Sequence, residues 1–450
     1  MFQSQDISFH IISLGCAKNQ VDSERINGAL LSAGYLPAES SEHADIIIIN
    51  TCGFITDAKE ESIAMIFDAV EQQKSSGESN MKPFFREGRV LSRDFGRRVV
   101  VVGCLSQRYP EALEIEIPEI DFLVGVPDGR FVELMSGKLH VAVAPPAVRR
   151  APLLPGLSYS YIKIAEGCSH RCSYCAIPLI RGTHESFPPE MVLDDARAEA
   201  DRGARELVIV AQDITAYRRE DTGLPGLVGS LCRLPGVEWV RLMYCHPDHV
   251  DESVISIFER EEKVVPYIDI PFQHVSRRIL RSMGRKGDAA ACRAVIERLR
   301  ERVPDIRIRS TFMTGYPGET WEEFEELLAF LEWAQLDRVG AFVFSPEEGT
   351  RAAGLGGQVP ERVKKDRHDS LMSLQREISE RKLAGMIGDV VRVLVEEQID
   401  ETTWAGRTEY DAPEVDGIFY LTARNVRIHS IVNARVTGST EYDCIGEHLP

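Results

Sequence analysis

No apolar run in this chain approaches the roughly 20 residues that a bilayer-spanning helix needs, so a helical membrane span is not expected. The opening residues, MFQSQDISFH, have neither the basic flank nor the apolar core of an export signal, and a cytoplasmic location is expected. Positive charge is scarce: 52 Lys and Arg stand against 70 Asp and Glu, a net charge of -18. That balance disfavours nonspecific binding to nucleic acid, whose phosphates call for Lys and Arg. It suits a basic protein partner drawn in by long-range attraction, although solubility alone explains the same excess. What is present is a globular composition, 44% apolar, over 450 residues. That length exceeds one ordinary core and suggests roughly two to four domains. Ten cysteines without an export signal point to thiols or metal ligands rather than to a disulfide framework.

Three early segments share one pattern. In FHIISLGCAKN, DIIIINTCGF and RRVVVVGCLSQ an apolar run leads straight into a cysteine: Cys16, Cys52 and Cys104. Helical patterns lie between them, over 22–33 and 58–72. Unbroken Val/Ile runs alternating with helices predict a parallel sheet covered on both faces. Ligands collect at the carboxyl ends of such strands, so three cysteines placed there are expected to converge on something thiophilic. A lone cysteine is more often a small buried residue; three equivalent placements argue for ligands. Residues 73–98 are polar and read as an inserted surface loop.

The Pro-rich stretch VAPPAVRRAPLLPGL (143–157) reads as a linker. Beyond it, six strand patterns (159–165, 206–212, 237–244, 265–270, 306–313 and 338–344) alternate with helices such as 191–202, 289–302 and 321–335. Six strand–helix units predict an open, partial version of the parallel barrel. A charged helix over 360–383 leads out of it. From 385 onward, short Val-rich strands with Gly, Asp and Pro turns predict a small closed antiparallel β-barrel. The expected fold class is therefore α/β, with domains at 6–146, 155–383 and 385–450.

The strongest chemical signal is EGCSHRCSYCAIP. Cys168, Cys172 and Cys175 directly follow a strand, on a loop at the carboxyl rim of the predicted barrel. Three thiolates on a compact loop suit a 4Fe–4S cluster, which ordinarily takes four ligands. One iron is then left open to chelate a small molecule. A zinc site with His170 or His184 as fourth ligand is the alternative.

The three-then-two cysteine spacing resembles that of the radical S-adenosylmethionine (AdoMet) enzymes. The resemblance implies that AdoMet chelates the open iron through its methionyl amino and carboxylate groups. It also implies that an electron from the cluster cleaves the sulfonium to a 5'-deoxyadenosyl radical. With the N-terminal three-cysteine domain and the C-terminal barrel, the whole chain is similar to the methylthiotransferases, whose last module is called TRAM. Only the polar insertion departs from that pattern. The family implies a second 4Fe–4S cluster on Cys16, Cys52 and Cys104, which carries the sulfur to be inserted. One AdoMet methylates that sulfur, and another supplies the radical that removes hydrogen from an unactivated carbon.

Branches of the family modify transfer RNA or a ribosomal protein. SLGCAKNQVDSERI, NTCGFITDAKEESI, IKIAEGCSHRCSYCAIPLIRG and GAFVFSPEEGT resemble the branch that modifies the β-carbon of an aspartate in protein S-twelve of the small ribosomal subunit. From 385 to the end, twelve Asp or Glu oppose five Lys or Arg. An RNA-docking barrel should be basic, whereas an acidic one suits a basic ribosomal protein. The implied partners are that protein, free or in the subunit, and an electron donor. Transfer-RNA methylthiolation and a non-catalytic metal protein docking on ribosomes are the rivals.

Among smaller signals, TGYPGET (314–320) lacks the Lys-Ser/Thr tail of a phosphate loop. It reads either as part of an AdoMet pocket through Gly315 or as a tight turn with a helix cap at Glu319 and Thr320. Tyr174 resembles the aromatic that radical enzymes place near adenine. Gln212, Asp213 and Gln273, with Asp269 and His274, stand at predicted rim ends and are candidate AdoMet or substrate contacts. Cys245, His246 and His249 read as rim packing, and Cys232, Cys292 and Cys444 as inert.

Overall fold

The computed structural model describes residues 2–78, 85–86, 89–90, 96–142 and 150–449. Half of the polar insertion, the first half of the Pro-rich linker and the expected boundary at 146 lie outside them. The chain forms two compact units, Met1–Pro155 with Ala176–Gly182, and Gly156–Cys175 with Thr183–Pro450.

In the first unit, β1 (Ser8–Ser13), β2 (Leu36–Pro37), β3 (Ile46–Thr51), β4 (Arg98–Gly103) and β5 (Phe122–Leu123) make a sheet in the order β2-β1-β3-β4-β5. Every pairing is parallel. The four isoleucines of β3 divide between its two faces. Ile46 and Ile48 join the core under helices Ala17–Ser32 and Phe131–Lys138. Ile47 and Ile49 join the core under helices Thr56–Glu78 and Pro110–Glu116. Burying such a side chain stabilises by about 1.5–3 kcal/mol, so β3 and the equally buried Val99–Val102 run anchor the unit. The helix expected to stop at 72 runs on to Glu78, because Gln73 hydrogen-bonds Asp121 (2.7 Å) and Lys74 pairs with Glu119 (2.8 Å).

In the second unit, β6 (Tyr159–Lys163), β7 (Glu206–Val210), β8 (Trp239–Leu242), β9 (Val264–Asp269), β10 (Arg307–Thr314) and β11 (Arg338–Val343) pair in sequence order, all parallel. This is the expected open six-stranded barrel sheet. Helices return the chain between strands. Asp251 caps Glu252–Arg260, Asp288 caps Ala289–Arg302, and Thr320 with Glu323 forms a capping box on Trp321–Ala334. The charged helix spans Glu361–Ala384.

The C-terminal strands β12 (Val390–Gln398), β13 (Thr403–Thr408), β14 (Phe419–Thr422), β15 (Ile431–Ser439) and β16 (Cys444–His448) close into a barrel in the order β12-β13-β14-β16-β15. It is not wholly antiparallel: β14 and β16 run parallel. Nor does this barrel stand apart as a third compact unit. Each strand of the open sheet sends a polar side chain to the segment 407–416. Tyr159 and Tyr161 bond Glu414 (2.7 and 3.0 Å), and Glu206 pairs with Arg407 (2.8 Å). Arg241 donates to the Glu409 carbonyl (3.0 Å) and Tyr267 to Asp416 (2.6 Å). Arg309 pairs with Asp416 (2.5 Å) and Arg338 with Asp411 (2.6 Å). Part of the C-terminal acidic excess is therefore spent inside the unit. Asp389, Glu397, Asp400, Glu401, Glu441 and Glu447 remain exposed, against Arg424, Arg427 and Arg435.

Candidate functional site

In the first unit the three expected thiols come together. Cys16 caps the helix Ala17–Ser32 immediately after the β1 loop, Cys52 follows β3, and Cys104 follows β4 and opens the short helix Cys104–Arg108. Their closeness shows in what glycine makes room for. A β-carbon on Gly15, whose φ is +89°, would stand 2.9 Å from the Cys52 β-carbon and 3.1 Å from its sulfur. One on Gly53 would meet the Leu105 backbone at 2.8 Å.

The thiols influence one another. Burial pushes Cys52 up to about 11, and the charges of Cys16 and Cys104 push the same way. Burial also raises Cys104, opposed by Arg181. Cys16 behaves differently. The residue is exposed; desolvation at its sulfur is the largest influence and opposes ionisation. Lys18, two backbone N–H groups and Arg181 outweigh it, so its thiol is lowered. Three crowded thiols cannot all ionise without a polycation, and binding iron removes their protons.

In the second unit, Cys168, Cys172 and Cys175 lie on the loop between β6 and the helix Ile177–Arg181. The Ser173 N–H donates to the Met283 carbonyl and the Ala352 N–H to the Ser173 carbonyl, both at 2.8 Å, which clamps the loop from two sides. Gly284 lets the backbone approach: a β-carbon there would stand 2.9 Å from the Arg171 carbonyl oxygen. Burial raises the Cys168 thiol, and Cys172 adds to the shift. The guanidinium of Arg285 bonds Cys172 and also donates to the Pro271 carbonyl (2.5 Å).

Each triplet thus has three thiols and one nearby arginine, buried Arg181 or half-buried Arg285, and the thiols are a donor set that fits a thiolate-ligated iron–sulfur cluster. Among the described residues, the group of three His, Cys, Asp or Glu side chains gathered tightly enough for a single metal ion is His170, His246 and His249, not either cysteine triplet.

The rim residues divide. Asp213 meets the cysteine loop: it accepts from His170 (2.7 Å) and His249 (3.3 Å) while capping Ile214–Ala216. Burial opposes its ionisation, but His170 and Thr215 hydrogen bonds hold it below the usual carboxylate range. His170 stacks on His246 with ring centroids 4.0 Å apart, and burial takes His246 down to about 2, leaving it neutral. Gln212 follows β7, half-buried. Gln273 holds φ +71° and bonds Thr311 and Met313 through its backbone at 2.8 Å. Tyr174 packs against Ile279, Leu280 and Met283. Space beside Gly315 is filled: a β-carbon would fall 2.2 Å from Lys364 Cγ, while the Gly315 N–H donates to Glu319 (2.7 Å). His274 is engaged by Glu319 (3.1 Å) and Asp269 by the Tyr244 N–H (3.0 Å). Cys232, Cys245, Cys292 and Cys444 are buried.

Sequence reasoning missed both arginines. Arg181 stands six positions after Cys175 in SYCAIPLIRG and Arg285 one after Gly284; proximity to the cysteine motif was the one signal for the first.

Comparison with known proteins bears on the whole chain. Residues 8–125 match uncharacterized protein family UPF0004, 162–331 the radical SAM superfamily and 387–449 the TRAM domain. The ribosomal protein uS12 methylthiotransferase RimO of Desulforudis audaxviator is 42% identical, with 96% of this chain and 95% of that protein aligned. RimO of Syntrophotalea carbinolica is 41% identical over 97% and 96%, and RimO of Heliobacterium modesticaldum 40% over 98% and 95%. The chain belongs to the RimO family. Its fold also resembles the radical S-adenosylmethionine methyltransferase TsrM of Kitasatospora setae (TM-score 0.52, 13% identity, 77% of this chain and 73% of that one). The cobalamin-dependent enzyme OxsB is similar in fold (TM-score 0.52, 12% identity, 83% and 56%). For a RimO family member, the two thiol triplets described above match a cofactor complement of two 4Fe–4S clusters and AdoMet.

Proposed function

We propose that this chain inserts a methylthio group at the β-carbon of an aspartate in ribosomal protein uS12. The observation that carries the reading is a pair of separate thiol triplets, each with its own arginine, on a chain similar to RimO proteins along nearly its whole length. Cys168, Cys172 and Cys175 hold the cluster that takes AdoMet; Cys16, Cys52 and Cys104 hold the second. When bound, the clusters and AdoMet supply electron transfer, a methyl group and hydrogen-atom abstraction.

The chain's own task is to hold and shield them. Met283 and Ala352 fix the Cys172–Cys175 turn. Ile279, Leu280 and Phe344 give that side of the loop an apolar wall that excludes water. Tyr174, Gln212, Asp213, Gln273 and Gly315 are proposed AdoMet contacts at the carboxyl rim. The domain limits proposed are 6–146, 155–383 and 385–450, the last bearing exposed acids that attract basic uS12 before docking. A one-electron donor and uS12, free or in the subunit, are the partners, and the cytoplasm the place.

Mass spectrometry of uS12 from cells with and without the gene tests this. The methylthio mass increment on an aspartate is expected only with the gene. Unmodified uS12 together with gene-dependent methylthiolation of transfer RNA would overturn it.

A further inference from the structure

The helix Ile177–Arg181 follows the AdoMet-loop cysteines in the chain, yet it is part of the first unit. Its Ala176 and Ile180 pack in one buried cluster with Cys104. That packing directs Arg181, whose side chain is 1% exposed, among the three N-terminal thiols. The guanidinium donates to Asn19 Oδ1 (2.6 Å) and to Asp22 Oδ2 (3.0 Å). Asn19 is itself fixed, because its amide donates to the carbonyls of Leu14 and Thr51, both at 3.0 Å. The orientation of the Asn19 oxygen is thereby set, and the same oxygen lies 3.7 Å from the Cys104 sulfur. The Arg181 charge acts on Cys16, Cys52 and Cys104 alike, with a hydrogen bond to Cys104.

We propose that Arg181 is the built-in counter-ion of the second cluster and sets its reduction potential, held in place by Asn19 and Asp22. The inference rests on Cys16, Cys52 and Cys104 being that cluster's ligands. Three thiolates on a 4Fe–4S core leave the oxidised centre with a net negative charge, and reduction adds another. A fixed cation in a buried, low-dielectric site stabilises the more negative state, and net charge with hydrogen bonding to sulfur is what tunes such potentials. Asp22 opposes the effect: it anchors the guanidinium and also places an anion nearby. The two residues should therefore move the potential in opposite directions, an outcome that a purely structural role for Arg181 does not produce.

The test uses the full chain carrying Cys168→Ala, Cys172→Ala and Cys175→Ala, reconstituted anaerobically with iron and sulfide so that only the second cluster forms. Iron near four per chain confirms the ligand reading; absence of iron overturns that reading and the proposal with it. Potentiometric titration followed by electron paramagnetic resonance then compares variants in this background. Arg181→Gln is expected to make reduction at least tenfold less favourable, a downward shift of about 59 mV for one electron. Arg181→Lys should recover most of that, and Asp22→Asn should shift the potential upward. An unchanged potential in Arg181→Gln with its iron retained overturns the proposal. Where Arg181→Gln holds no iron, Asp22→Asn decides: an upward shift supports the counter-ion role and no shift overturns it.

Discussion

Gly15 turns the chain at φ +89° directly against Cys52, so the room for the cluster proposed there depends on a missing β-carbon. Gly15→Ala is expected to cost at least half of the second cluster's iron while leaving AdoMet cleavage intact, read by iron analysis and by 5'-deoxyadenosine formation. The cysteines themselves should separate the two centres. Cys172→Ala is expected to abolish AdoMet cleavage, with product falling at least about a hundredfold, and Cys52→Ala to keep measurable cleavage but insert no sulfur. Full insertion by Cys52→Ala would remove the second centre from the mechanism. At this scale the sequence was readable where chemistry coincides with a pattern: cysteines after apolar runs, and a three-then-two spacing. It was opaque for Arg181, whose partners Asp22 and Asn19 lie 159 and 162 positions earlier in the chain. No local period links an arginine to a helix that far away.

Elements were legible in proportion to their apolar periodicity. The six strands of the open sheet fall within a few residues of expectation: β7 (ELVIV) and β9 (VVPYID) are apolar runs that are buried on folding, whereas β10 alternates half-buried and buried residues. The helix expected at 22–33 begins at Ala17 instead, since its first turns bury Lys18, Asn19 and Asp22, polar residues that carry no amphipathic signal. The cap at Thr320 was readable from the Gly-rich turn before it, whereas Glu319, expected beside it as a cap, accepts from the Gly315 N–H instead and Glu323 completes the capping box; Thr320→Ala should lower stability by about 1 kcal/mol in urea unfolding.

The buried Glu206 matters more, because it joins Arg241 of the open sheet and Arg407 of the C-terminal barrel. Burial opposes its ionisation, but the two guanidinium groups hold its carboxyl below the ordinary glutamate value. A depressed carboxylate contributes stability above the ordinary value of about 4.3 and loses it as pH falls through the folded value. Glu206→Gln should therefore destabilise by about 3–5 kcal/mol at pH 7. The gap from the parent chain should narrow on acidification below about pH 4, measured by anaerobic urea unfolding. A constant gap would mean the pair contributes through shape alone.

For the molecule as a whole, a net charge of -18 and the exposed C-terminal acids make association with a basic partner a salt-sensitive step. Reversing Asp400 and Glu401 to Lys is expected to slow uS12 binding by about tenfold at low salt, with little change once the complex has formed, as read by surface plasmon resonance. Anaerobic reconstitution of the parent chain should give about eight irons per chain, and chelation should remove AdoMet cleavage and sulfur insertion together. Composition leads to an expected division into three, whereas the fold has two compact units. Composition does not reveal the ring of ionic and tyrosine contacts around 407–416, because its members come from six different strands.

The first unit borrows its last helix from beyond the opening strand of the second. A ribosome making this chain releases all three N-terminal thiols long before the guanidinium that Asn19 and Asp22 grip. The N-terminal fold is completed only when Gly182 has cleared the exit tunnel. A fragment cut at Pro155 would keep the three N-terminal thiols and lose the guanidinium that sits among them.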